Sequence, residues 1–344
     1  MSDVYFIPYT EGDPGVLGQL ALDLLKILES HRESPYPEKT PVKVHFGEKG
    51  NTTFIPARTY DPIIDYLRSR GTSPFYIETN VLYRGERTTE ESHIRLARSH
   101  GFTQIPILIA DGKTGTDYYE VPIDKDYIER CKIGKAFEDY PGFLVMSHFK
   151  GHMNAGFGGA IKQLAMGFAS RGGKLEQHSG ISPVVNPSKC IACGLCVDKC
   201  DFDAITLEEV AVIHDEPCVG CAGCIAVCPE GAITNRWDGR NFLEKIAEYA
   251  YGASKGKDNL YISFLTGITE DCDCIGSPMV PLTRDIGVLA SLDPLALDSA
   301  CLDLLQQETG HSYFDSGRTT LRHGVKIGLG SDDYNLHTLQ GKVL

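Results

Sequence analysis

Eight of the twelve cysteines lie in one short segment that begins at Cys190 and ends at Cys228. They form two copies of the spacing C-x2-C-x2-C-x3-C, and the second copy repeats the first after 28 residues. Ala-Ile-Thr closes both copies, so the similarity extends beyond the cysteines. In a long chain with an ordinary apolar content, such dense cysteines indicate metal ligands rather than disulfides.

The spacing suits two [4Fe–4S] clusters, because three thiolates come from one tight loop and the fourth from the other copy. The first cluster would be bound by Cys190, Cys193, Cys196 and Cys228. The second would be bound by Cys218, Cys221, Cys224 and Cys200. Structural zinc is the alternative, but zinc sites usually need two C-x2-C pairs rather than two complete quartets.

Residues 183–237 resemble the bacterial two-cluster ferredoxins, with one departure, Asp201, where that family has proline after the fourth cysteine. The resemblance implies transfer of single electrons at low potential. The segment carries three basic and eight acidic residues. We therefore expect a redox partner protein with a basic docking face.

A second candidate site is the glycine-rich stretch 150–162, which continues to His178. It follows an apolar run and opens a helix, whose first free amides favour a carboxylate or a phosphate. We therefore expect an anionic small molecule near His152, Lys162 and His178. The alternative is a tight strand-to-helix connection with solvated side chains, because a single glycine-rich loop is weakly specific.

Nearly the whole chain resembles the iron–sulfur centre proteins of domain of unknown function 362. The matching stretches are 78–88, 152–162, 271–274 and 285–303. This resemblance implies an α/β fold with a ferredoxin-like insert, but it implies no particular substrate.

The order His152, Lys162, His178 is also similar, more distantly, to that of the nickel-pincer lactate racemases. By that resemblance His152 would be a catalytic base for a 2-hydroxy acid. Lys162 would attach the pincer cofactor or bind an anion, and His178 would be a nickel ligand. A second histidine of the racemases has no match here; the nearest stretch contains Glu86 and Arg87.

The remaining four cysteines divide into a pair and two isolated residues. Cys272 and Cys274 could both reach one metal, form a strained disulfide, or stay as idle thiols, since two ligands alone do not make a metal site. Cys131 and Cys301 are expected to pack in the core.

Alternating helical and strand patterns predict the elements that position these residues. The predicted helices are 16–29, 62–70, 90–100, 159–170, 242–251 and 294–307. The predicted strands are 42–46, 75–77, 105–110, 143–149, 260–265 and 286–290. This alternation predicts an α/β fold with a mainly parallel sheet.

The cysteine segment differs in composition from both flanks, which predicts an inserted ferredoxin-like α+β domain. The expected boundaries are 1–182 for the first part of the α/β domain, 183–237 for the insert, and 238–344 for the second part.

Composition excludes several classes of function. The chain has 33 Lys and Arg against 46 Asp and Glu, a formal charge of −13. This balance argues against nucleic-acid binding. The sequence shows no secretory signal and no apolar span, so we expect a cytoplasmic protein without a membrane segment. It shows no fingerprint for NAD or flavin.

Three functions are consistent with these patterns. The leading hypothesis is an iron–sulfur electron-transfer protein or oxidoreductase that passes electrons to the α/β domain or to a partner. The second is an enzyme for an anionic small molecule, centred on His152, Lys162 and His178. The third is a scaffold in which the clusters are structural.

Overall fold

The computed structural model describes residues 1–10, 12–31, 36–83, 85–178, 182–215, 217–218, 222–234 and 241–339. Within them the strands are β1 (Ser2–Pro8), β2 (Lys39–Lys43), β3 (Ser73–Glu78), β4 (Ile107–Ile109), β5 (Tyr118–Pro122), β6 (Arg130–Gly134), β7 (Leu144–His148), β8 (Lys150–His152), β9 (Gly156–Gly158), β10 (Val184–Val185), β11 (Ile205–Leu207), β12 (Ala211–Ile213), β13 (Ile233–Thr234), β14 (Leu260–Leu265), β15 (Gly287–Ser291) and β16 (Tyr334–Thr338). The α-helices are α1 (Pro14–Ser30), α2 (Asp61–Ser69), α3 (Glu90–Ser99), α4 (Ala160–Phe168), α5 (Arg171–His178), α6 (Leu195–Asp198), α7 (Gly223–Val227), α8 (Phe242–Ser254), α9 (Pro294–Thr309) and α10 (Arg318–Ile327).

One large sheet organises the α/β part of the chain. Its eight strands follow the order β16-β1-β15-β14-β7-β2-β3-β4. All neighbouring pairs are parallel except those of β15, which is antiparallel to both β1 and β14. The prediction of an α/β fold with a mainly parallel sheet is therefore confirmed.

The direction of each strand follows from its connection. A helix links β2 to β3 and another links β3 to β4, as a parallel crossover requires. The connection from β14 to β15, residues 266–286, contains no helix, and the chain returns antiparallel. This long connection carries the Cys272–Cys274 pair.

Each predicted helix and strand overlaps an element of the structure, but β2 begins and ends earlier in the sequence than predicted. It ends at Lys43, although the apolar pattern continues to Phe46. Val44 and Phe46 are fully buried without ladder pairing, so the pattern indicated burial rather than strand length. The sequence patterns missed β1, β16, α10 and the β5–β6 hairpin.

Alternate side chains of the sheet enter two separate cores, as the pleat requires. In β14, Tyr261 and Leu265 face the core formed with α4, α8 and α9. Ile262 and Phe264 face the core formed with α1 and α2. Cys131 and Cys301 are fully buried in the first of these cores.

The cysteine segment forms small elements of its own. Strand β10 pairs with β13 and β11 pairs with β12, both antiparallel. The 28-residue repeat relates β10 to β12 and β11 to β13, so the two pairs are equivalent under the repeat. Cysteine side chains pack around a small apolar cluster that includes Ile205 and Ile233.

Across the described part of the chain, every helix is too short or too polar to traverse a lipid bilayer.

Helix α4 begins against a buried carboxylate of α9. Asp298 accepts hydrogen bonds from the backbone amides of Ala160 and Ile161, each at 2.8 Å. The expectation that these amides bind an external anion is therefore wrong, because an internal carboxylate occupies them.

Replacing Asp298 by alanine should lower the free energy of unfolding by about 2–4 kcal/mol, because two buried amides lose their acceptor. Urea denaturation measures the change. Gln307→Ala, an exposed position on the same helix, is the matched control and should leave the unfolding midpoint unchanged. Equal stability of the two variants would contradict the capping role of Asp298.

Candidate active-site cavity

A cavity of about 800 Å³ lies at the carboxyl ends of the parallel strands β2, β3, β7 and β14. In parallel α/β sheets this edge is the usual position of ligand sites. His45, Glu78 and His148 reach the cavity from the ends of β2, β3 and β7, and the long connection after β14 closes one wall.

The structure brings the three residues of the glycine-rich stretch to this cavity. His152 lies in the β8–β9 hairpin, Lys162 in the first turn of α4, and His178 at the end of α5. Helix α5 follows α4 directly, which explains how residues far apart in the sequence share one wall.

His152 presents a proton donor to the cavity. Its Nδ1 accepts hydrogen bonds from the amides of Asn154 and Ala155, at 3.2 and 3.1 Å. Burial and the nearby Lys162 charge hold the pKa of His152 well below its usual value, so the ring is neutral. A neutral ring with Nδ1 as acceptor carries its proton on Nε2. The neutral ring can therefore donate a hydrogen bond from Nε2, and the role of His152 as a catalytic base stays a prediction.

His178 is also neutral. Burial and the Lys162 charge lower the pKa of His178 to about 3. The ring stacks on Phe242, with the two centroids 4.5 Å apart. It therefore remains uncharged throughout the physiological pH range.

The cavity is cationic although the chain is acidic. Its lining includes the basic residues Arg87, Lys150, Lys162 and Lys174 and the acidic residues Glu78 and Asp271. Lys150 pairs with Asp273, Arg87 pairs with Glu48, and Lys174 donates to Thr79. The side chain of Lys162 makes neither an ion pair nor a hydrogen bond with any other described residue. Its charge acts on the Cys274 thiol and is also positioned to attract a bound anion.

A tight turn holds Cys272 and Cys274 in the cavity wall. The amide of Ile275 donates to the carbonyl of Cys272 at 2.9 Å, which closes the turn. Asp273 lies between the cysteines, fully buried, with Oδ2 at 2.8 Å from His148 Nδ1 and 2.9 Å from Lys150 Nζ. Its backbone carbonyl also accepts from the amide of Glu48.

His148 and Lys150 stabilise the ionised form of the Asp273 carboxyl. Burial alone raises the pKa of this carboxyl, but His148 and Lys150 outweigh it and hold the pKa well below its usual value. His148 Nε2 lies 2.8 Å from the Thr266 carbonyl, so both ring nitrogens lie within hydrogen-bond distance of an oxygen. The Cys272–Cys274 turn is thus fixed to the end of β7 by a buried ionic contact.

The two thiols of this turn differ in pKa. A hydrogen bond from Cys272, together with Lys162 and His45, holds the pKa of Cys274 well below its usual value against the effect of burial. The same hydrogen bond and burial raise the pKa of Cys272 well above its usual value. The pKa of Cys274 therefore lies below that of Cys272, so Cys274 is the first of the pair to lose its proton.

Sequence patterns missed His45, Arg87 and Asp273 as members of the site, whereas Lys150 lies at the start of the predicted stretch 150–162. His45 Nε2 lies 3.8 Å from Cys274 Sγ and 2.7 Å from Arg87 Nη1. A histidine inside the apolar run 42–46 was the available signal, because a polar residue buried among apolar ones needs an explanation. Glu86, by contrast, lies at the surface in ion pairs with Lys49 and Arg95.

The cysteine-rich segment contains two small voids lined by thiols. One is lined by Cys190, Cys193, Cys196 and Cys228. The other is lined by Cys200, Cys218 and Cys224. Cys221, the remaining ligand in the predicted second set, lies outside the described residues. In each void, thiols of one repeat meet the last cysteine of the other.

The second void lies next to the large cavity. Leu82 lines the cavity and belongs to a buried apolar cluster with Leu175 of α5 and Ala222. Ala222 in turn lines the void of Cys200, Cys218 and Cys224. This apolar cluster therefore links the wall of the cavity to the wall of the thiol-lined void.

Fold and site together define an α/β protein with a cationic cavity at the carboxyl edge of its sheet and a cysteine-rich segment beside it. The chain matches the family described as Domain of unknown function (DUF362) over residues 41–303. This match covers most of the sequence, and the chain belongs to that family.

Two solved structures resemble the chain. One is a protein from Thermotoga maritima, with 12% identity and a TM-score of 0.42, aligned over 92% of this chain and 61% of its own. The other is the lactate racemase apoprotein from Thermoanaerobacterium thermosaccharolyticum, with 12% identity and a TM-score of 0.40, over 77% of this chain and 51% of its own. The chain thus spans less than two thirds of either protein. Comparison with curated proteins gives no match.

Cys274 should react as a thiolate in the fully reduced protein. Its rate of alkylation by iodoacetamide should rise much less between about pH 6 and about pH 9 than that of an ordinary thiol, which gains more than roughly a hundredfold. Peptide mass spectrometry measures the rate at this position. Cys272→Ala removes the hydrogen-bond donor and should make the rate rise with pH, while exposed Lys39→Met should not. An ordinary thiol profile in the unmodified protein would contradict the assignment.

Proposed function

We propose that this protein is an iron–sulfur oxidoreductase in which two [4Fe–4S] clusters, bound by the cysteine-rich segment, serve the cationic cavity of the α/β part. The apolar cluster of Leu82, Leu175 and Ala222 carries the proposal, because it links the wall of the cavity to the wall of the second thiol-lined void. When bound, such clusters supply single electrons.

The donor sets fit this role. Four thiols around one void match the ligand number of a [4Fe–4S] cluster. Backbone amides donate to the ligand sulfurs: Ala204 to Cys200 at 3.4 Å, and Ala232 to Cys228 at 3.2 Å. These two contacts are equivalent under the 28-residue repeat. Amide hydrogen bonds of this kind stabilise the anionic sulfurs and tune the potential.

The backbone of both loops is shaped in the same way. Gly194 and Ala222 occupy equivalent positions of the repeat, and both have left-handed φ angles, 80° and 58°. Ala192 shares this region at 52°. Left-handed alanines carry strain that a functional loop retains only when the surrounding structure imposes it. Ligand loops that must wrap a cofactor satisfy this condition.

The first thiol-lined void lies near a surface that suits a protein partner. Cys193 is exposed there, beside Ile191 and Leu195, whose relative exposures are 62% and 46%. Glu208 and Glu209 are exposed on the turn between β11 and β12. An apolar patch with acidic neighbours favours a redox partner with a basic docking face.

Anaerobically purified protein should contain about eight iron and eight sulfide per chain, following the ligand count. Cys218→Ser should lower both contents and the intensity of the reduced-state electron paramagnetic resonance signal, while Cys131→Ser, in the core, should retain them. Zinc without acid-labile sulfide would contradict the proposal. Clusters that do not cycle reversibly in a redox titration would indicate the scaffold function instead.

A second candidate function is an enzyme for a small anionic molecule, centred on His152, Lys162 and His178. The Lys162 side chain, which has no ion-pair or hydrogen-bond partner among the described residues, favours it, together with the neutral His152 ring in the cavity wall. An anion paired with Lys162 would accept a hydrogen bond from Nε2 of His152. This function and the oxidoreductase function are compatible in one cavity.

Lys162→Met should weaken binding of lactate or inorganic phosphate by about tenfold or more, because the variant removes the charge that faces the anion. Calorimetric titration of the holoprotein with each anion measures the affinity, and Lys39→Met is the matched surface control. Intact-protein mass spectrometry reports in parallel any covalent adduct that the variant loses. Unchanged affinity for every anion that the unmodified protein binds would exclude Lys162 as the anchor.

A further inference from the structure

We propose that Cys272 and Cys274 form a reversible dithiol–disulfide couple in the cavity wall, which stores two electrons beside the bound substrate. The inference rests on the proposed function, because the couple needs a low-potential one-electron donor as its source of electrons. It assigns a role to a pair of residues that neither cluster requires.

The turn brings the two sulfurs together. Cys272 and Cys274 occupy the first and third positions of a turn closed by the Ile275 amide, and the amide of Cys274 donates to Cys272 Sγ at 3.2 Å. A turn shortens the separation of its α-carbons into the range that disulfide geometry requires. Asp273, fixed by His148 and Lys150, keeps both thiols on the cavity side.

The surroundings favour exchange chemistry. The attacking species in thiol–disulfide exchange is a thiolate, and cationic neighbours stabilise it. Lys162 and His45 provide that environment for Cys274. The Cys272 thiol also donates a hydrogen bond to the Cys274 sulfur. A thiolate and a thiol in contact form the reduced state of a redox pair.

The alternative use of the pair is as metal ligands with His45. In the ranges that the structure describes, the two sulfurs and His45 Nε2 are not all within 4.8 Å of one another. A metal held by these three groups would therefore require the turn to move, although Asp273 anchors it. The disulfide requires only the two sulfurs, which are already in contact.

The redox step balances within the pair. Reduction breaks the Cys272–Cys274 S–S bond with two electrons and one proton, and leaves the Cys274 thiolate and the Cys272 thiol. The proton ends on Cys272 Sγ. Oxidation reverses these changes, so that two single-electron deliveries become one two-electron transfer to an acceptor in the cavity.

A count of electrons tests the couple. The oxidised holoprotein, titrated anaerobically with reduced methyl viologen, should take up about four electrons per chain, two for the clusters and two for the disulfide. Cys272→Ser and, separately, Cys274→Ser should each take up about two. Cys131→Ser, a buried cysteine distant from the cavity, should still take up about four.

Alkylation of the unfolded chain after each step identifies the thiols involved. The peptide with Cys272 and Cys274 should change from disulfide to doubly alkylated as electrons are added. Free thiols at every potential would overturn the inference while leaving the clusters intact. A stoichiometric metal that both serine variants lose would overturn it as well. Uptake of about two electrons that both variants abolish would support the couple and contradict the clusters.

Discussion

The buried ionic contact of Asp273 with His148 and Lys150 is the constraint on which the cavity depends. The Asp273 carboxylate and the Lys150 ammonium are costly to remove from water unless they pair with good geometry. Here Asp273 Oδ2 lies 2.9 Å from Lys150 Nζ and 2.8 Å from His148 Nδ1. The contact joins the end of β7 to the connection that follows β14. It helps to fix the Cys272–Cys274 turn within residues 266–286, which contain neither helix nor strand.

The topology of the sheet gives this contact its place. Parallel strands deliver His45, Glu78 and His148 to one edge, and the antiparallel return of β15 sends the long connection across the same edge. Basic side chains collect there although the whole chain is strongly acidic. A cationic cavity in an acidic protein concentrates the field on small anions that enter it.

The cysteine-rich segment and the cationic cavity are chemically distinct, and they lie next to each other. The void lined by Cys200, Cys218 and Cys224 is linked to the cavity wall by a shared apolar cluster, whereas the void with Cys193 lies near the exposed surface. This order suits electrons that enter at the surface and leave in the cavity. A purely structural role for the cysteine-rich segment would require neither that order nor a cavity rich in titratable groups.

The sequence alone determined the features that depend on local spacing. The cysteine repeat predicts which thiols of the described residues share a void, because three fixed intervals in each copy leave few geometries for a short chain. The helical and strand periods predicted the mainly parallel sheet, since the spacing of apolar residues reflects which side chains are buried. The glycine-rich stretch and a resemblance also grouped His152, Lys162 and His178, but the sequence could not indicate their charge states.

Tertiary structure decided which distant residues meet. His45, Arg87 and Asp273 have no spacing that relates them, and only the strand order of the sheet brings them to Cys274. The amides at the start of α4 illustrate the same limit, because their partner Asp298 lies on another helix far along the chain. Local sequence patterns indicate whether a residue is buried. Which residues contact it, and whether it is charged, depend on how the strands are ordered in the sheet.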